Sequence, residues 1–174
     1  MQRRVAQVAI GPSTLRNQGA PGVVAIAREF FEKNINLIEF RKVLETTEFP
    51  EYLDQLTLQL QRAFPRGGRS WGAARKGLNI FFRDSVYNKY LADYLDIPSN
   101  QTANVTILRN LEIPLDKDVA TELTRRFDNL PKWTTIKRLD SKRSQLYQDA
   151  ALDYADNLGL ARIHLDLEFW RSDR

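Results

Sequence analysis

Lysine 76 is the residue of this sequence best placed for chemistry. The stretch SWGAARKGLNIFF (70–82) sets Arg75 and Lys76 in the first turns of a helix. The preceding RAFPRGGR (62–69) carries cations and glycines. From Arg62 to Arg83 there are six Arg or Lys residues and no Asp or Glu. A lysine amine is a nucleophile once deprotonated, and a helix start with free N–H groups favours an anion. At about 100° per residue, Trp71, Ala74, Leu78 and Phe81 form one apolar arc. Lys76 falls opposite, beside Gly72, Asn79 and Arg83. Gly72 has no side chain, so an outside group can come close there, and Gly67 and Gly68 can turn amides outward. With Arg66, Arg69 and Arg75 these residues make a phosphate seat. The simpler reading is that Lys76 and Arg83 solubilise the outer face of a helix.

The composition narrows the chemistry. The chain has 174 residues, 43% of them hydrophobic and 10% aromatic, which suits one globular domain with a real core. There is no cysteine, so disulfides, thiolate nucleophiles, iron–sulfur clusters and thiolate zinc sites are excluded. The single histidine, His164, argues against a histidine-rich metal site or a histidine-based triad. Catalysis would rest on Lys, Asp, Glu, Tyr, Ser or Thr, with no metal and no cofactor. No apolar run reaches the about 20 residues of a membrane span. The opening MQRRVAQVAIGPSTLRNQG has an apolar patch shorter than a signal-peptide core, so a cytoplasmic location is expected. A net charge of +4 favours a polyanionic partner. A second basic stretch, PKWTTIKRLDSKR, runs to Arg143.

Apolar spacing is helical almost throughout, which predicts an all-α, compact, multi-helix single domain. Val23, Ile26, Ala27, Phe30 and Phe31 make one core-facing stripe after Pro21. Leu37, Phe40, Val43 and Leu44 continue it, and Leu53, Leu56, Leu60 and Phe64 line a third helix. A long helix is expected from Trp71 to about Tyr94, ended by Pro98. Residues 99–112 read either as a short helix or as an extended piece. A helix follows IPLD to about Phe127, another runs from a capping residue to Gly159, and a last one turns Ile163, Leu167 and Trp170 inward. Residues 1–20 are expected as an N-terminal strap on a helical core of residues 21–174.

Two segments resemble a known family. GAARKGLNI resembles the segment of the helix–hairpin–helix DNA glycosylase superfamily that reads roughly G-x-G-R-K-T-A-N-x, through Gly72, Arg75, Lys76 and Asn79. IPLDKDVA resembles that family's V-D-T-H-V segment through Leu115, Asp116 and Val119, with Asp118 where the histidine often stands. The closing IHLDLEFWR is also similar, so the resemblance spans roughly residues 60–171. The counterpart of the compact hairpin is the longer FPRGGRSWG, and the interval to Asp116 implies an inserted helix around Tyr87–Leu95. The resemblance implies a DNA base-excision glycosylase, with or without lyase activity. Lys76 would attack the sugar C1′, Asp116 would activate it and stabilise positive charge on the sugar, and the loop amides would hold a phosphate. DNA is then the partner and a monomer the expected state. The alternatives from the residues alone are a non-catalytic nucleic-acid-binding helical module or a helical protein-interaction domain.

Other residues have ordinary readings. Asp116 opens a helix, where an aspartate cap is worth about 0.5–2 kcal/mol. His164 stands four residues before Glu168, which suggests a structural pair, and Asp166 and Glu168 could hold a metal but better suit a solvated or salt-bridged helix face. Residues 11–19 form either a strap or a second anion contact through Arg16 and Asn17. Tyr87, Tyr90 and Tyr94 sit at packing intervals, and Trp133 is either a stacking platform or a buried anchor.

Overall fold

Ten α-helices make up the computed structural model, which describes residues 1–171 except Pro12, Ser13, Arg16 and Asn17, and excludes the side chains of residues 101–103, 170 and 171. No strand occurs among the described residues. The order is α1 (Gln2–Ala9), α2 (Val23–Lys33), α3 (Leu37–Val43), α4 (Phe49–Ala63), α5 (Trp71–Tyr87), α6 (Lys89–Tyr94), α7 (Gln101–Leu108), α8 (Lys117–Thr124), α9 (Ser141–Leu158) and α10 (Leu165–Arg171). Short 3-10 turns at Arg66–Gly68, Ile136–Arg138 and Arg162–His164 join them. No described helix is long and apolar enough to cross a membrane.

The helix starts follow from local chemistry. Asn36, Ser70, Asn88, Asp116 and Asp140 each accept a backbone N–H with the side chain, which satisfies donors a helix leaves open. Asn88 explains why the long helix expected to Tyr94 divides. Its backbone is extended and its side chain accepts the Leu91 amide, so α5 ends and α6 begins. Gly159 closes α9 in the left-handed conformation at φ 64°. The region around residues 101–108, open between helix and extended chain, is the helix α7. The N-terminal twenty residues contain the helix α1, whose Val5, Ala6 and Ala9 join the core. Arg16 and Asn17 lie outside the described residues, as does the side chain of Trp170.

Apolar residues gather in two clusters. One joins α1–α6 with the C-terminal end of α7, and stacks Phe31 on Phe81 and Phe40 on Phe82 with ring centroids 4.8 and 4.3 Å apart. The other joins α8, α9 and α10 through Ile113, Leu115, Leu123, Tyr147, Leu165 and Phe169. Leu167, expected inward, is exposed and Phe169 is buried instead, because α10 begins only at Leu165 and its phase differs. Trp133 packs edge-to-face on Tyr147, as an anchor of the second cluster.

α5 belongs to both clusters and is buried nearly all round. The expected division into a core arc and a solvated face is therefore corrected. Gly72 faces inward: a Cβ there would lie 2.1 Å from the Ile136 carbonyl oxygen and 2.8 Å from Leu139 Cβ. The close approach its missing side chain permits is that of residues 136–139, not of an outside ligand. Gly77 differs, since a Cβ there would meet only side-chain atoms, the nearest Phe31 Cζ at 3.4 Å.

These two glycines should respond oppositely to alanine. Gly72→Ala is expected to lose about 1–3 kcal/mol from overpacking against backbone. Gly77→Ala is expected to gain about 0.5–1 kcal/mol from helix propensity. Urea unfolding of the two variants checks the sign of each.

Candidate functional site

Lys76 leaves the buried helix α5 where the second cluster abuts it, and it meets Asp116. The Lys76 Nζ–Asp116 Oδ2 distance is 3.1 Å, across a sequence separation of 40. Asp116 is also the cap of α8: its Oδ1 accepts the amides of Asp118 and Val119, each at 3.0 Å. One oxygen orders the helix and the other holds the amine, so the capping and pairing roles coexist. The lysine side chain is 15% exposed and the aspartate 36%, which puts the pair at a surface opening.

The chain before Asp116 is held by side chains that mimic backbone. Gln148 of α9 accepts the Ile113 amide at 3.1 Å and donates to the Ile113 carbonyl at 2.8 Å. Arg162 donates to the carbonyls of Leu111 at 2.9 Å and Asn110 at 3.0 Å. Glu112 is gripped from α5 by Arg75, through Nε at 2.9 Å and Nη2 at 3.0 Å, and by Asn79 Nδ2 at 2.9 Å. Arg75 further reaches Thr57 Oγ1 at 2.9 Å and Asp54 at 2.8 Å, and its guanidinium lies over Trp71.

Arg75 and Asn79 are thus buried positioning residues, only 6% and 3% exposed, and not the nucleic-acid contacts expected of them. Gly68 of the loop also turns inward, while Gly67 is exposed. Gly68 packs on Val23 and its amide donates to the Pro65 carbonyl, while the Gly67 carbonyl sits against Gly19. Lys137 Nζ reaches this junction: a Cβ on Gly19 would lie 3.2 Å from it. Exposed Arg66 and Arg69 in one basic stretch therefore adjoin exposed Lys137 and Arg138 in the other. Residues 136–139 pack on Gly72, one turn from Lys76 on the same face of α5.

Three side chains of α5, Lys76, Arg83 and Tyr87, fall along one line of the helix at spacings of seven and four. Each meets a partner from the C-terminal half. Lys76 meets Asp116, Arg83 meets Asp166, and the Tyr87 hydroxyl lies 2.7 Å from His164 Nδ1. Arg83 also pairs with Asp84 at 2.8 Å, so it is not free for a phosphate as expected. The other ring nitrogen of His164 meets Asn104 Oδ1 at 2.9 Å, a structural histidine with partners other than Glu168. Burial pushes its imidazole below the ordinary value. Burial likewise pushes the Asp166 carboxyl up, against the opposing pull of the Arg83 guanidinium.

A cleft of about 420 Å³ opens beside Asp116 and is lined by Asp118, Glu122, Arg125, Asp166 and Phe169 among others. Carboxylates outnumber cations in it. No group of residues able to hold a metal ion occurs among the described residues. Such a cleft suits a group that gains positive charge, and the cationic edge suits a polyanion.

No known protein family, curated protein or solved structure matches the chain. The site therefore rests on its own geometry. Gln148, Arg162 and Asp166 were not singled out as functional from the sequence. Only Asp166 had a signal there, an acid on the closing helix.

The double duty of Asp116 can be separated by mutation. Both variants lose the carboxylate that holds Lys76, and Asp116→Ala, which also loses the cap, is expected to be less stable than Asp116→Asn by about 0.5–2 kcal/mol. Chemical denaturation of both variants checks this.

Proposed function

We propose that this chain is a DNA base-excision glycosylase with lyase capacity, in which Lys76 attacks C1′ of the target nucleotide. The observation that carries this reading is the Lys76–Asp116 pair, two residues distant in sequence held 3.1 Å apart at the mouth of a cleft. The resemblance of residues 72–80 and 113–120 to the helix–hairpin–helix glycosylases points to the same two side chains.

The chemistry follows from the charges. The Lys76 Nζ–C1′ bond forms as the C1′–N glycosidic bond breaks, and the base departs with the bonding electron pair. Positive charge grows on the sugar during this step, and a neighbouring carboxylate stabilises it. Asp116 is fixed by two amides, so it needs no reorganisation when that charge appears. A phosphodiester backbone is repelled by the cleft acids and attracted by Arg66, Arg69, Lys137 and Arg138. On this reading the strand lies along the basic edge and only the target nucleotide, rotated out of the stack, enters. The partner is DNA, bound by a monomer in the cytoplasm.

Borohydride reduction tests the reading without knowledge of the lesion. A duplex with an abasic site presents a ring-opened sugar aldehyde, and an amine that condenses with it is trapped as a stable secondary amine. The wild-type protein is expected to form the adduct, and Lys76→Ala to abolish it. Asp116→Asn is expected to slow it by about 10²-fold or more. Base release from a panel of lesion-bearing duplexes then identifies the substrate. Salt-sensitive DNA binding with no adduct and no base release would make the chain a binding module instead.

A further inference from the structure

We propose that a cavity of about 110 Å³ between α4, α5 and α9 binds one small free oxyanion, with the size and charge of inorganic phosphate. It shares no lining residue with the cleft beside Asp116. The proposal therefore stands apart from the reading of Lys76 as a nucleophile. Exposed Asp54 and Ser141 line the outer part of the cavity, and buried Arg75, Glu112 and Ser144 line its inner part. The space equals about three or four waters. That holds one tetrahedral anion, and it excludes a phosphodiester carrying its two sugars.

Ser144 is the residue that points to a ligand. It is 2% exposed, and its hydroxyl has no hydrogen-bond partner among the described residues. Buried hydroxyls are rarely left so, and an ion or water accounts for the exceptions. Arg162 points the same way. Its guanidinium donates to the carbonyls of Leu111, Asn110 and Gln148, the last at 3.3 Å, and none of these is a carboxylate. Two of its five N–H groups remain unspent. Burial pulls its pKa below the ordinary value, although the charges of Glu112 and Asp149 oppose this. The start of α9 adds further donors. Asp140 takes the Arg143 amide at 2.8 Å with its side chain and the Ser144 amide with its carbonyl. The amides of Ser141 and Lys142 then have no partner within the helix.

The carboxylates of the cavity are already committed. Both oxygens of Glu112 accept from Arg75, and one accepts from Asn79 as well. Asp54 stands at the mouth, with its side chain 53% exposed, and also pairs with Arg75. Arg75 and Glu112 neutralise each other, so Arg162 is left as the uncompensated cation. The unspent groups are a charged guanidinium, a hydroxyl and helix-start amides, nearly all donors. Waters would satisfy the donors and leave the charge, whereas an anion answers both. Arg75 and Arg162 also hold residues 110–112, the chain that leads to Asp116. An anion bound here braces that chain from the side away from the cleft.

Calorimetric titration of the full chain with sodium phosphate at constant ionic strength tests the site, with thermal unfolding alongside. Wild type is expected to give a saturable one-to-one isotherm, and its unfolding midpoint to rise with the logarithm of phosphate concentration. Ser144→Ala removes one donor and is expected to weaken binding about tenfold. Ser144→Asp puts a tethered carboxylate into the cavity. It is expected to abolish the isotherm and to unfold at or above the wild-type midpoint in phosphate-free buffer. Exclusion of phosphate from the protein surface raises the midpoint of every variant alike, so the difference between variants carries the result. An undamaged DNA duplex is not expected to compete. The absence of a saturable wild-type isotherm overturns the proposal and leaves a cavity that holds water only. An isotherm unchanged in Ser144→Ala, or one displaced by the duplex, overturns it by placing the ion on the exposed basic edge. If Ser144→Asp does not fold, a buried carboxylate is not tolerated there, and the Ser144→Ala isotherm alone decides.

Discussion

The ion pair between Arg75 and Glu112 is the constraint from which the rest of the architecture follows. Glu112 lies in the extended chain leading to α8, and Arg75 lies in the second turn of the buried helix α5. Their bidentate contact sets where that chain crosses the helix, and Asn79 one turn later confirms the register with a third hydrogen bond. Four residues beyond Glu112, the same chain delivers Asp116 to Lys76. A fork of this kind is specific as well as strong, because a planar guanidinium fits a carboxylate in one orientation. Deleting Arg75 would leave the Glu112 charge unpaired in the interior, a loss of about 3–5 kcal/mol, whereas without Glu112 the guanidinium keeps Asp54. A lysine at position 75 could not make the same clamp onto Glu112, Thr57 and Asp54.

Charge is sorted by depth around this frame. Cations stand exposed at Arg66, Arg69, Lys137 and Arg138, carried by two segments far apart in sequence that meet where Gly19 and Gly67 touch. Carboxylates line the cleft beside α8. The arrangement separates attraction of a polyanion from stabilisation of a developing cation. It also explains why a net charge of +4 understates the local fields. The loop glycines serve this sorting by letting backbone segments touch.

Helical periodicity was enough to read the fold class, the stripes of α2, α3 and α4, and the caps at Asp116 and Gly159. It failed on α5, because a helix packed on all sides has no solvent face for an amphipathic pattern to reveal. Asn79 was placed on an outer face by helical phase, and Arg75 and Asn79 were both read as binding residues through the family resemblance. Their partners Glu112, Thr57 and Asp54 are remote in sequence, and no local rule connects them. Lys76 and Asp116 came together as expected, on the strength of a family resemblance and not of spacing. Gln148 and Arg162 bind backbone carbonyls and amides, which have no sequence identity, so nothing in the chain announces them. The division at Asn88 was readable in principle, since asparagine is among the preferred caps.

Sharing α5 between two apolar clusters bears on how the molecule comes apart. Trp71 packs into one cluster, while Leu78, Phe81 and Phe82 belong to the other. Neither half can shed its core without stripping part of this helix, so local opening of one raises the cost of keeping the other. The two halves are therefore expected to melt as a single cooperative unit, with the α5 amides exchanging with solvent through global unfolding.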